Sequence, residues 1–199
     1  NTKEAINAYQ QAIKTNPNDE TLYFVLGDYY TKLGRHQEAI ESFQQVIHIK
    51  PDFEAAHFKI GLLFSLLGRF EDGTKSFKTV IRLNPDAAPA HFNVGIAYTN
   101  LGLYQEAIKA QKEVLRINPE FAPAHNNLGV VYGKLGKTTA EIKAYKEAIR
   151  IDPEYAAAHY NLGFALFKKS DKASALDQYK ILKELDKEAA DKLFNIIYY

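Results

Sequence analysis

Apolar residues along this chain recur three and four positions apart, the spacing of one helical face, and the pattern restarts at a fixed interval. From Ala88 to Phe121, residues His91, Val94, Gly95 and Tyr98 mark one face of a first helix. Gly102 marks a turn, and Ala107 starts the buried face of a second helix that ends near Pro119. Shifted by 34 residues, the landmarks fall on His57, Ile60, Gly61, Phe64, Gly68, Gly73 and Pro85, and on His125, Leu128, Gly129, Tyr132, Gly136, Glu141 and Pro153. Pro17, Pro51, Pro85, Pro119 and Pro153 form one series of that period and Pro89 and Pro123 a second, so every proline belongs to a repeat.

This period divides the chain into a half repeat over 1–19 and five full units over 20–53, 54–87, 88–121, 122–155 and 156–189. A capping helix is expected over 190–199, with the helical pattern running from Glu188. The half repeat buries Ala5, Tyr9 and Ala12 and lacks a partner helix before it. In each full unit the first helix stops at Gly34, Gly68, Gly102 or Gly136, residues suited to a left-handed helix stop, and Ser170 takes that place in the fifth. The second helix ends near the proline, which cannot continue an α-helix; in the fifth unit Lys187 stands there instead. Gly27, Gly61, Gly95, Gly129 and Gly163 lie inside helices at a cost of about 1 kcal/mol each against Ala, which predicts close helix contacts.

A fixed 34-residue period signals a stacked array of helical hairpins. Tyr23, Leu26, Gly27, Tyr30, Ala39, Phe43 and Pro51 match the W-x2-L-G-x2-Y, A-x3-F, P pattern most fully, and on these residues the chain resembles the tetratricopeptide repeat (TPR) family over nearly its whole length. The departures are His for the first aromatic in four repeats, Gln111 for the Phe, and Ala140-Glu141 in inverted order. The resemblance implies an all-α TPR solenoid, a single right-handed superhelix of antiparallel helix pairs spanning 1–199, with a concave groove that holds a protein or peptide.

With 25 basic and 24 acidic residues the net charge is +1, which offers no field to recruit nucleic acid or an anionic membrane. The longest apolar run, near Ile60 to Leu67, is too short to span a bilayer, so no membrane insertion is expected. Lack of Cys removes disulfides and thiol chemistry. With no Met anywhere, the sequence reads as a processed or excised piece, and the compartment stays open with a leaning to the cytoplasm.

Chemistry is sparse. His57, His91, His125 and His159 recur once per repeat, but packed helices stand about 8–10 Å apart, too far to bring several nitrogens to one zinc. A structural role in the place of the family's Trp is expected, with His36 and His48 exposed. Gly133-Lys134-Leu135-Gly136-Lys137-Thr138-Thr139 mimics a phosphate-binding loop, yet Val131 stands where its first Gly belongs and a helix replaces the strand. Asp19-Glu20 and Glu71-Asp72 read as solvated helix ends rather than an acid–base pair. No catalytic residue, metal site or cofactor is proposed, and the chain is expected not to be an enzyme.

Interaction residues are sought on the first helix of each repeat. Numbering each repeat from one, positions 4, 7, 8 and 11 cluster inward, so positions 2, 6, 9 and 13 point the other way, flanked by 5 and 12. In the family that side lines the groove. Position 6 carries Val25, Lys59, Asn93, Asn127 and Asn161. An Asn amide both donates and accepts, so such a row suits an extended peptide backbone, and it resembles the asparagine ladder of O-linked N-acetylglucosamine transferase repeats. The plainer alternative is a polar residue tolerated on a wet face. Position 9 carries Leu62, Ile96, Val130 and Phe164 after Asp28, and position 5 adds Phe24, Phe58, Phe92 and Tyr160, an apolar patch of the kind that marks a binding surface. The expected peptide-binding set is Phe58, Lys59, Leu62, Phe92, Asn93, Ile96, Asn127, Val130, Tyr160, Asn161 and Phe164. A clamp for acidic C-termini is not expected, because Phe92, Ile96, Asn127, Ala157 and Asn161 supply only the middle Asn of that motif.

The reading that follows is a non-catalytic scaffold binding a partly apolar peptide or helix; the alternative is a substrate-recruiting arm of a larger enzyme such as a glycosyltransferase. The ends suggest self-association, with Phe194 to Tyr199 of one molecule packing on the N-terminal helix of another in a heterologous contact. In the alternative, Phe194, Tyr198 and Tyr199 fold back on the fifth repeat.

Overall fold

The computed structural model describes residues 2–199. Among them are twelve α-helices and no strand: α1 (Thr2–Thr15), α2 (Glu20–Lys32), α3 (His36–Ile49), α4 (Glu54–Leu66), α5 (Phe70–Leu83), α6 (Ala88–Asn100), α7 (Tyr104–Ile117), α8 (Ala122–Lys134), α9 (Thr138–Ile151), α10 (Ala156–Lys168), α11 (Lys172–Leu185) and α12 (Lys187–Tyr198). The fold is an all-α TPR solenoid. By internal contacts the chain divides into two units, Asn1–Ala97 and Tyr98–Tyr199.

In the first unit α2 pairs with α3 and α4 with α5, α1 lies on α2, and α3 joins the two hairpins. Leu26, Tyr30, Phe43, Val46, Ile60 and Phe64 form its core, with Ile6 of α1 buried beside them. The hairpins close because a glycine on the first helix lets an aromatic ring of the second come against the backbone. A Cβ on Gly27 would stand 2.7 Å from the Phe43 ring, so the propensity cost inside the helix is exchanged for a fully buried Phe43.

The turn between paired helices is the same five times. Arg35 N–H donates to Tyr30 O at 2.9 Å and Gly34 N–H to Thr31 O at 3.0 Å, a Schellman motif that satisfies two of the last helical carbonyls. It needs one left-handed residue, supplied by Gly34, Gly68, Gly102 and Gly136 at φ from 69° to 73° and by Ser170 at φ 68°. The stretch that mimicked a phosphate loop is therefore the end of α8, this turn at Gly136, and the start of α9.

The second unit pairs α8 with α9 and α10 with α11, sets α7 on α8 and α9 on α10, and ends with α12 against both α10 and α11. Loss of the proline at Lys187 changes the last junction. Asp186 alone links α11 to α12, closing the first and capping the second through a bond from Ala189 N–H at 3.0 Å. The last helix accordingly starts ahead of the 190 boundary that the period suggests. Its shifted register places Leu193 beneath Gly163, where a Cβ would lie 2.5 Å from Leu193 Cδ2. Tyr179, which holds the place of Phe43, instead stacks on Phe194 with centroids 5.4 Å apart. Phe194 in turn meets Tyr198 at 4.6 Å, and Lys172 sits 4.3 Å over the Tyr198 ring. Within the molecule, then, Phe194 and Tyr198 lie on the fifth repeat, while Tyr199 is exposed.

The buried face of the first helices differs from the expected 4, 7, 8 and 11. On α4 it is Ala56, Ile60, Gly61, Leu63 and Phe64, that is positions 3, 7, 8, 10 and 11. The α4 helix is flanked by both α3 and α5, which widens its buried arc. Position 4 lies at the rim. There the ring Nε2–H of His57, His91, His125 and His159 donates to the carbonyl of Pro51, Pro85, Pro119 and Pro153, at 2.8, 2.9, 3.4 and 2.9 Å. Each imidazole thus ties a helix to the loop before it, and only His159 is buried. His48 is exposed as expected, whereas His36 is half-buried.

Candidate functional site

In the first unit the face of α4 away from the core carries Phe58, Lys59 and Leu62. Phe58 is half-buried, its ring edge-on to the buried Phe77 with centroids 5.5 Å apart, and it lines a cleft of about 520 Å³ with Glu54, Val80, Asn84, Asp86 and Pro89. Lys59 reaches back to the first repeat, donating from Nζ to Asp28 Oδ1 at 2.8 Å. Leu62 is 38% exposed, and Leu66 one turn on is 67% exposed, so α4 presents an apolar strip longer than the sequence pattern singled out. On α6, Phe92 and Ile96 are half-buried, and Asn93 Nδ2 donates to Pro89 O in its own helix at 2.7 Å.

In the second unit Asn127 is half-buried, and its Nδ2 is shielded from solvent without a hydrogen-bond partner. Val130 packs against the core formed with α10, α11 and α12. Tyr160 and Asn161 line a cleft of about 530 Å³ between α10 and α12, completed by Ala157, Asp186, Glu188, Ala189 and Lys192. Phe164 is 38% exposed, with the Lys168 ammonium 5.6 Å from its ring centroid. Asn161 Nδ2 donates to Asn126 Oδ1 at 2.9 Å.

The three Asn residues of position 6 therefore differ in use: one amide is turned to its own helix, one has a shielded nitrogen, and one is held by a neighbour. Asn126 and Leu66 lie outside the expected set. The signal for Asn126 was present as the one departure from an aromatic residue at position 5. Among the described residues no group of three or more His, Asp or Glu side chains is placed to hold a metal ion, and no helix is long and apolar enough to cross a membrane.

The two clefts are equivalent. Each opens where positions 2 and 5 of one repeat meet positions 31 and 33, at the junction with the next helix: Ala55, Phe58, Asn84 and Asp86 in one, Ala157, Tyr160, Asp186 and, on the first turn of α12, Glu188 in the other.

Comparison with known proteins agrees with this architecture. A TPR repeat model matches residues 1–34, 27–68, 95–136 and 137–170, and a tetratricopeptide repeat model matches 54–87. No curated protein sequence matches the chain. Among solved structures, MamA protein is similar at 27% identity and TM-score 0.75, over 86% of this chain and 94% of its own. PilW, a type IV pilus biogenesis factor, shares the fold at 21% identity and TM-score 0.81 over 98% of this chain and 90% of its own. YrrB, described as a TPR protein with an unusual peptide-binding site, shares it at 16% identity and TM-score 0.71, over 94% of this chain and 98% of its own. The repeat models cover most of the sequence, the hairpins and turns follow their pattern, and the chain belongs to the tetratricopeptide repeat family.

Proposed function

We propose that this chain is a protein-interaction scaffold whose first helices hold a partly apolar peptide or helix. Phe58, Lys59, Leu62, Phe92, Asn93 and Ile96 serve in the first unit, and Asn127, Val130, Tyr160, Asn161 and Phe164 in the second. Family membership supports the protein-binding class. The observation that carries the site is the exposure of Leu62 and Phe164, at the same repeat position on α4 and α10. Apolar area left in water forgoes roughly 25 cal/mol per Å², and a partner recovers it. Lys59, neutralised by Asp28, adds no net charge to repel an apolar ligand.

Selection from a displayed random-peptide library, followed by fluorescence anisotropy with the recovered peptides, tests the reading. Changing Asn127 and Asn161 together to Ala removes hydrogen bonds worth about 0.5–1.5 kcal/mol each and should weaken binding roughly tenfold; the buried Asn126 oxygen also loses its partner, at a stability cost of about 1–3 kcal/mol, so binding is measured well below the variant's thermal midpoint. Leu62→Ser and Phe164→Ser should weaken it as well. Unchanged affinity in all three variants would move the site elsewhere.

A further inference from the structure

We infer that the cleft between α10 and α12 receives the ammonium group of a partner lysine, and that Asn126 on α8 positions the residue that accepts it. The inference rests on the scaffold reading and adds the chemistry of the partner.

Position 5 is aromatic in the other repeats, as Phe24, Phe58, Phe92 and Tyr160; at Asn126 it is an amide only 6% exposed. Burying an amide is costly unless it is hydrogen-bonded. Asn126 Oδ1 meets that demand by accepting from Asn161 Nδ2 at 2.9 Å. The same bond fixes the Asn161 amide, with NH2 toward α8 and Oδ1 left as the acceptor. Asn161 lines the cleft, so its Oδ1 is available there as an acceptor, beside the second hydrogen of its NH2.

Two carboxylates add acceptors to the same lining. Asp186 takes one bond from Ala189 N–H, and a carboxylate has about four lone-pair sites, so it can accept more. Glu188 holds Lys192 at 2.6 Å, which occupies the one cation in the lining. Two carboxylates against one ammonium leave the lining with a charge of −1. The complement of an acceptor-rich, anionic cleft is a cation with several donors and no acceptor, which describes an ammonium group. Ala157, Ala189 and the Tyr160 ring accompany the ammonium's aliphatic stem, and the ring face attracts the charge itself. The net negative charge of the lining disfavours an acidic peptide tail, although the Lys192 ammonium and the Tyr160 hydroxyl are donors within it.

The test is a titration of the isotope-labelled full chain with Nα-acetyl-lysine N-methylamide up to about 50 mM, a range suited to a millimolar site. Saturable shifts are expected at the Asn161 side-chain amide and the Ala189 and Lys192 backbone amides, with none from the norleucine analogue. Asn126→Leu should weaken the response several-fold, while Asn126→Asp, which keeps an acceptor oxygen for Asn161, should retain it. Unchanged dispersion of the other resonances shows that each variant is folded. Equal shifts from the norleucine analogue, or no saturation, would overturn the cation site. A response stronger for alaninamide would assign the cleft to a peptide amino terminus and reject lysine. An unaffected Asn126→Leu would remove the positioning role. If library-selected peptides depend on Asn127 and Phe164 while the lysine probe leaves α10 and α12 unmoved, this inference fails and the scaffold reading stands. If no library peptide binds, the scaffold reading itself fails.

Discussion

Glu141 occupies the space that Gly133 leaves open across the α8/α9 hairpin: a Cβ on Gly133 would stand 2.5 Å from Glu141 Oε1. In the other repeats the Glu141 position holds Ala39, Gly73, Ala107 or Ala175, and the Gly133 position holds Thr31, Ser65, Thr99 or Phe167. The second repeat makes the trade in reverse, since a Cβ on Gly73 would lie 2.8 Å from Ser65 Oγ. The pair should therefore be coupled. With Glu141→Ala in place, Gly133→Ala gains the helix propensity of about 1 kcal/mol. With Glu141 present, part of that gain is lost in displacing the carboxyl group. A double-mutant cycle by denaturant unfolding should give an interaction energy of roughly 0.5–1 kcal/mol, and additivity would contradict the contact.

The same burial has a pH signature. Glu141 is 5% exposed, and burial raises its pKa above the ordinary carboxylate value, partly offset by the Lys168 charge. The native state then holds its proton to higher pH than the unfolded chain does. This contribution to stability is full below the unfolded pKa, falls as pH rises through the native one, and is level beyond it. Glu141→Gln should remove the slope and stabilise the protein at neutral pH by on the order of 1 kcal/mol. Urea midpoints at a series of pH values would read both effects, and parallel profiles for the two proteins would refute the assignment.

Ser170 is the one non-glycine residue with positive φ among those described, at 68°. A Cβ at the matching Gly34, Gly68, Gly102 and Gly136 would meet nothing within 4 Å, so the preference for glycine there is a matter of backbone energy rather than space. Ser170→Gly should stabilise the chain by about 1 kcal/mol, read as a higher thermal midpoint. Gly136→Ser should cost a similar amount.

Gly129 meets the opposite limit. A Cβ there would stand 2.4 Å from the Tyr145 ring, and Tyr145 is buried and cannot withdraw as a flexible chain end could. Gly129→Ala should destabilise by about 1–3 kcal/mol despite its better helix propensity. Combining it with Tyr145→Leu should recover part of the loss in equilibrium unfolding.

The helices, the turns and the membership of the family were legible because they depend on features that recur in register: the proline series, the turn glycines and the paired landmarks Leu26, Gly27 and Tyr30. What the repeat concealed are relations that involve a departure from it. Gly133 with Glu141, Asn126 with Asn161, and Leu193 beneath Gly163 each pair an unusual residue with a partner on another helix, and a period read one position at a time does not show which partner that is. The single-residue link at Asp186 escaped for a related reason. Loss of the proline at Lys187 was visible, but the resulting shift in register depends on how the following helix seats on α10.

The imidazole ties to the proline carbonyls fix how each ring is set. A carbonyl only accepts, so the bond at His57, His91, His125 and His159 requires hydrogen on Nε2. Nδ1 is thereby turned to the other side of the ring, where at His159 it meets the Gln178 side-chain amide at 2.8 Å. Histidines placed once per repeat would elsewhere suggest ligands converging on one centre; here each ring is committed to the loop before its own helix, so every such repeat carries its own latch.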